Sequence, residues 1–573
     1  MRPLIGLFHF NVQYVAGNPP GYHRYCTEAL HPFLDAVVRV QNWRVTFEMA
    51  GCGLEFVAQF YPDLLRKIRL LIDRGQLELI SSTYVPSLWV AFPGLDLIKS
   101  IELNIDCLER LGLPRSRVFF AQEGFFGLGL KRLDSYFDAV LCKDDYLSHF
   151  IGAELMCPAY RLGNLKVIVG SNHLLNECRR RLLHGPILDE GLLYAGHLTS
   201  ASDNISPAWS RDTDGTHPFW YHFGSGHHFS VPAVPGDWDN FFAARDWISV
   251  TQNVINSYAQ QGFNYSFISE FADSLSLSAL YELPKVIEGS WNAGRSDGVF
   301  VWMGKHKNIW ENNAGGLALT WRARNRLMRL REATDRLNDP EMLQRLNATF
   351  AELWKLLLFA ESSDSFGWAP TPNEAVFASN YAEELLRQIA IIESQLTAHE
   401  DFPLPFPTEG PVLRPVKRLT AAWLEPPYAI ELFGSSGHID RKMLDTNTVM
   451  LEARFTPQDV SCGVLFGTCF HEVIYCPSGI ETSPVQLNLK DLRPDTIYLP
   501  LANGLLGIGD ERYIIRCNEY GQVAACINKM IFTVSFRVEG PCAPRQYRWR
   551  FIVFRGSLDK ALHLANLINC AGG

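Results

Sequence analysis

Roughly the first half of this 573-residue chain alternates short apolar runs with amphipathic helical stretches, and that alternation limits the fold more than any other feature. Between Pro62 and Ile80, Leu64, Leu65, Ile68, Leu71 and Ile72 recur at helical spacing. Gly75 stands where a helix C-cap glycine belongs, and residues 77–80 read as a short buried strand. The same pattern predicts strands at residues 4–9, 44–49, 118–122, 139–142, 219–223 and 265–268. Strands alternating with helices imply a parallel sheet with right-handed crossovers. A set of this length fits one barrel better than two open sheets.

The expected fold class is α/β: a (β/α)7 incomplete TIM-like barrel, a helical domain, and a C-terminal antiparallel β-sandwich. The barrel is assigned residues 1–282, the helical domain 283–398 and a Pro-rich linker 399–418. The linker contains Phe402-Pro-Leu-Pro-Phe-Pro, which forbids a helix there. Residues 419–573 show short alternating runs of sandwich spacing, closed by a helical pattern at 559–568.

Lys and Arg number 52 against 61 Asp and Glu, a formal charge of −9. That balance argues against a general nucleic-acid binder, which needs a positive field. No apolar stretch reaches the length of a membrane helix. The 13 cysteines are scattered without a Cys-x-x-Cys pair, which suggests reduced thiols in a cytoplasm and no structural zinc. No cofactor is expected, and the oligomeric state is open.

In a parallel barrel the chemistry sits where strands end at their C-terminal face. Those ends supply His9, Asn11, Glu48, Glu78, Glu123, Asp144, Asp145 and Glu270. A single acid after a strand is more often a helix cap or loop carboxylate than a catalyst. Glu123 differs: it follows the apolar run 118–122 and precedes Gly124-Phe-Phe-Gly, a poorly solvating setting for a carboxylate.

At this point the sequence resembles glycoside hydrolase family 57. Phe8-His-Phe-Asn resembles the family's first signature, and Gly75-Gln-Leu-Glu-Leu-Ile with Tyr84-Val-Pro-Ser-Leu its second. Phe120-Ala-Gln-Glu-Gly-Phe-Phe resembles the third, and Asp144-Asp145-Tyr146 the stretch that follows it. Glu288-Gly-Ser-Trp, Phe300-Val-Trp-Met-Gly and Lys307-Asn-Ile-Trp-Glu resemble the fifth. Glu361-Ser-Ser-Asp-Ser-Phe-Gly-Trp is similar to the segment that closes the site from the helical domain. The resemblance runs in order over roughly residues 3–390. It implies an α-glucan (or maltooligosaccharide) substrate, a retaining mechanism and Glu123 as nucleophile. It also implies sugar contacts from His9, Asn11, Glu78, Asp145, Glu270, Asp364 and the tryptophans Trp291, Trp302 and Trp310.

Two departures bear on activity. The fourth signature, normally Asp-x-Glu-x-Phe-Gly, is best matched by Ser225-Gly-His-His-Phe-Ser. Ser225 then replaces the general acid and His227 the Glu. In the first signature Asn11 replaces the second His. A serine hydroxyl cannot protonate a departing sugar near neutral pH, and general acid catalysis contributes about 10²–10⁴-fold. His227 and His228 have the reference pKa for a substitute donor. Three readings stay open: an α-glucan hydrolase or transglycosidase, a catalytically impaired glucan-binding homologue, and a metal-dependent deacetylase-like hydrolase built on the clustered histidines.

Overall fold

The structure, a computed structural model, describes chiefly residues 2–10, 22–143, 159–170, 192–196, 263–290, 313–366, 372–396 and 430–569, with short gaps inside some of these ranges. Two units divide the chain. One comprises residues 1–86, 100–126 and 130–286, the other residues 87–99, 127–129 and 287–573. Helices and strands mix throughout, so the chain is α/β in the broad sense.

The first unit is organised around strand β1 (Arg2–Phe10). Parallel to it run β2 (Val45–Met49), which pairs with β3 (Leu77–Leu79). β2 is buried at all five positions, as a strand covered on both faces must be. A second sheet holds β4 (Val118–Phe119), β5 (Ala139–Lys143), β6 (Ala159–Leu162) and β7 (Leu165–Gly170). A parallel bridge between Ser81 and Phe119 continues the order from β3 to β4. β8 (Leu192–Gly196) and β9 (Phe263–Tyr265) both pair with β1 in parallel. Leu7 has partners in β2 and β8, and Leu4 in β8 and β9. β8 therefore takes one edge of β1, while β9 and β2 follow one another along the other.

The crossover helices are α1 (His31–Arg39), α2 (Gly51–Phe60) and α3 (Pro62–Asp73). In α3 the expected stripe Leu64, Leu65, Ile68 and Leu71 is buried. Pro62 opens the helix, where its missing N–H costs nothing. Gly75 takes φ +66° and donates its N–H to Ile72, ending the helix. α4 (Gly94–Arg110) and α5 (Ile268–Ser274) follow.

Two expectations for this half need correction. The strand predicted over 118–122 stops at Phe119, because the chain turns through Gln122–Gly124 with Gly124 at φ +58°. The strand predicted over 265–268 lies at 263–265, since Ile268 already starts α5. The β6–β7 hairpin and β8 were not foreseen. The strand expected at 219–223 and the 399–418 linker lie outside the described residues.

In the second unit, α6 (Asn313–Asp335), α7 (Pro340–Ala360) and α8 (Pro372–Leu396) share a core of Leu327, Leu330, Leu353, Leu357, Leu385 and Ile389. Residues 430–555 form two antiparallel sheets among the described residues, of five and seven strands. Phe551 of the larger sheet meets Phe466 and Phe536 of the smaller at ring-centroid distances of 5.4 and 5.0 Å. α9 (Leu558–Asn569) packs on the larger sheet through Ala561 and Ala565.

Candidate functional site

Parallel pairing sets His9 of β1 directly beside Glu48 of β2, near the C-terminal ends of both strands. Glu48 is fully buried. Its Oε1 accepts a hydrogen bond from the Gln122 side-chain amide at 2.8 Å. A buried carboxylate needs such a donor to offset its lost hydration. Gln122 is buried as well and opens the turn that carries Glu123. Within that turn Gly124 donates its N–H to Ala121, and Phe125 to Gln122. Two segments singled out from the sequence, around His9 and around Glu123, thus converge on Glu48. For His9 and Glu123 only the backbone is described.

Glu78 and Glu270 meet elsewhere, at the start of α5. Glu78 Oε2 accepts from the Thr46 hydroxyl at 3.1 Å and from the Ile268 N–H at 3.0 Å. Burial pushes the Glu78 carboxyl above its usual range, and these donors hold it back. Glu270 accepts the Phe267 N–H at 3.1 Å. It also forms a two-pronged ion pair with Arg44, at 2.7 and 2.9 Å, which holds its carboxyl below the usual range. Both acids therefore satisfy orphan N–H groups of one short helix.

In the second unit, Asp364 lies on the turn Ser363–Phe366, of which its backbone is described. That turn is fixed on several sides. Leu88 donates its N–H to the Glu361 carbonyl at 2.8 Å, and Ser365 Oγ accepts the Ala378 N–H at 3.1 Å. Beneath it, Arg324 makes a two-pronged ion pair with Asp96, with one arm at 2.9 Å and both side chains almost wholly buried. Burial and the neighbouring Asp96 carboxylate hold the Glu361 carboxyl well above its usual range.

Asn11, Asp145, Ser225, His227, His228, Trp291, Trp302 and Trp310 lie outside the described residues. Among the described residues no group of three or more His, Cys, Asp or Glu is arranged to hold a metal ion. No described helix is long and apolar enough to cross a membrane. Sequence reasoning missed Gln122 as a partner of Glu48, and missed the Asp96–Arg324 pair. Gln122 had a signal, adjacency to Glu123 at a strand end. Asp96 and Arg324 had none, being 228 positions apart.

Residues 18–126, which contain β2 to β4 and the Gln122–Gly124 turn, match the model of Glycosyl hydrolase family 57. Over that stretch the chain is similar to that family. A 4-alpha-glucanotransferase of Thermococcus litoralis is 28% identical over 134 residues, 22% of this chain and 20% of that protein. An alpha-amylase of Pyrococcus horikoshii is 24% identical over 208 residues, 34% of this chain and 32% of that protein. The matches thus span a fifth to a third of the length of these two proteins. An alpha-mannosidase from Enterococcus faecalis aligns over 100% of this chain and 89% of its own, with a TM-score of 0.60 and 8% identity. At that identity the likeness concerns the fold alone.

Proposed function

We propose that the chain acts on α-glucans as a retaining hydrolase or transglycosidase, with Glu123 as nucleophile. The observation that carries this reading is the convergence of the His9 and Glu123 segments on buried Glu48 through Gln122. A nucleophile must be held in a near-attack position, and a turn pinned by a buried hydrogen bond does that. Glu123 attacks the anomeric carbon, the leaving oxygen takes a proton, and water or a sugar hydroxyl then releases the glycosyl group. Either His227 or His228 donates that proton in place of an acid at Ser225. His9, Asn11, Asp145, Asp364 and the tryptophans Trp291, Trp302 and Trp310 bind sugar. Glu78 and Glu270 shape the site through α5.

The same reading extends to architecture. The strands of the first unit run parallel in sequence order from β1 to β5, which supports the (β/α)7 barrel over 1–282. The aromatic contacts of Phe551 support a sandwich over 419–573, and the core shared by α6, α7 and α8 supports a helical domain over 283–398. The scattered cysteines support a cytoplasmic setting.

Incubation with maltooligosaccharides and glycogen tests the activity. Hydrolysis or transfer with retained anomeric configuration is expected, and Glu123→Gln abolishes it. Gln122→Ala lowers kcat with little change in KM, since it disturbs positioning. Glucan binding without turnover would make the chain a non-catalytic homologue. Turnover of an α-mannoside alone would overturn the substrate class.

A further inference from the structure

The first unit carries an aromatic cluster on its surface, within the stretch that matches family 57 but apart from the Glu48 segment. Five rings take part: Tyr22, His23, Phe56, Phe60 and Tyr61. Phe56 is central, with ring-centroid distances of 4.8 Å to Phe60, 5.3 Å to His23, 5.5 Å to Tyr22 and 6.4 Å to Tyr61. His23 also meets Phe60 at 5.4 Å and Tyr61 at 5.7 Å. The cluster reaches solvent through Phe60, 49% exposed, and His23, while Tyr22, Phe56 and Tyr61 are half-buried. Neighbouring planes are inclined by 41–81°, so the rings form a faceted surface and not a flat stack.

The chemistry of this surface limits what it can receive. Large exposed rings grouped on one side of a protein mark a recognition site more often than a solvated face. Three of the five rings carry polar atoms, and one pair is already tied, His23 Nδ1 to the Tyr61 hydroxyl at 2.8 Å. That bond fixes the orientation of an imidazole that is itself exposed. Described charges next to Phe56 and Tyr61 are paired with one another. Asp63 pairs with Arg66, and Glu55 pairs with Arg110 and accepts from the Tyr84 hydroxyl. An ionic ligand finds no unbalanced charge among these groups. A purely apolar ligand would bury the polar edges unsatisfied. An uncharged ligand with apolar faces and hydroxyl edges fits both, and a pyranose ring has that form.

We infer that Tyr22, His23, Phe56, Phe60 and Tyr61 form a surface site that binds an α-glucan chain away from the reacting bond. The choice of α-linked glucose rests on the proposed activity; the preference for a neutral sugar rests on the cluster itself. Pyranose C–H faces lie on Phe56 and Phe60, while His23 and the tyrosines meet the hydroxyls. Such a site tethers the enzyme to a polymer without touching the scissile bond.

Native electrophoresis of the full chain through gels containing glycogen or amylopectin tests this, with mannan and dextran gels as controls. The wild-type chain is expected to be retarded by the α-glucans. Phe60→Ala and His23→Ala should each weaken that retardation at least about tenfold, equivalent to losing one good stacking or hydrogen-bonding contact. Turnover of a short maltooligosaccharide by both variants should stay at the wild-type level, because neither residue belongs to the Glu48 segment. Glu123→Gln should be retarded like the wild type. Loss of turnover alone therefore strikes the proposed activity, and loss of retardation alone strikes this site. Retardation untouched by both surface variants overturns the inference. Equal retardation by mannan overturns the ligand class. Concentration-dependent dimerisation that Phe60→Ala abolishes would assign the surface to a second copy of the chain instead.

Discussion

Glu288 gives the sharpest quantitative test of the structure. It opens the segment that resembles the fifth family signature, and it is 2% exposed. Tyr475 donates its hydroxyl to Oε2 at 2.9 Å. Gly127 lies so close that a Cβ there would stand 2.5 Å from Glu288 Cγ. Burial pushes the carboxyl up to about 7, against partial relief from Tyr475 and from backbone N–H groups at Gly129 and Leu128. In the unfolded chain the group titrates near its ordinary 4.5. Between these values the native state holds a proton that the unfolded state has lost, so stability falls as pH rises. The contribution is fully present below about 4.5 and gone above about 7. At ~1.4 kcal/mol per unit the loss comes to about 3 kcal/mol. Glu288→Gln keeps the volume and an acceptor for Tyr475 but cannot ionise. Urea unfolding of both proteins at half-unit steps from pH 4.5 to 8 reads the difference. The variant should equal or slightly trail the wild type at pH 4.5, and exceed it by about 2–3 kcal/mol at pH 8, allowing about 1 kcal/mol for an imperfect amide fit. A difference that stays flat across this range would refute the buried, proton-holding carboxyl.

Arg324→Met should destabilise the second unit by about 3–5 kcal/mol by denaturant melting, because it leaves Asp96 charged and buried. Asp96→Asn with Arg324→Met together should recover part of that loss. Gly504→Ala should cost more than about 2 kcal/mol, since φ is +75° there and a Cβ would lie 2.2 Å from the Arg516 carbonyl oxygen. Glu452 is buried, which raises its pKa, yet Arg548 and Arg454 outweigh that and hold it down at about 2. Its stabilisation is present above about 4.5 and disappears as pH falls towards 2; Glu452→Gln should flatten that part of an acid-unfolding curve.

The elements legible in the sequence were those with a local signature. The α3 stripe and Gly75 announced a helix and its end before any tertiary contact was known. β2 was a β-rich run, Val45-Thr-Phe-Glu-Met, in which apolar and polar residues alternate. The β6–β7 hairpin carried a local signal that went unread: Gly163-Asn164 joins two alternating runs, and Gly163 takes φ +62°. The shortness of β4 could not be foreseen, because the turn after it follows from the geometry of Gly124 and from Gln122 reaching Glu48, 74 positions away. Glu78 and Glu270 show the limit for sites. Their type and spacing suited sugar contacts as well as helix caps, and the bonds they accept from the N–H groups of Ile268 and Phe267 depend on chain about 190 positions away from Glu78.

The pairing of β1 bears on the order in which the fold can be assembled. Phe10 needs only Met49, which a short crossover delivers, whereas Arg2 needs Phe263. One half of a single strand can therefore zip early, while the other half waits for chain made much later. Closing a loop of that length is entropically slow, and the waiting edge offers unpaired N–H and C=O groups to any other strand. A nascent chain held before residue 263 would be soluble only as long as something shields residues 2–4. Conversely, substitutions at Arg2 or Pro3 should retard the last step of folding and leave the His9–Glu48 pairing untouched. The same nine residues thus serve as the first piece of the sheet and as its final seam.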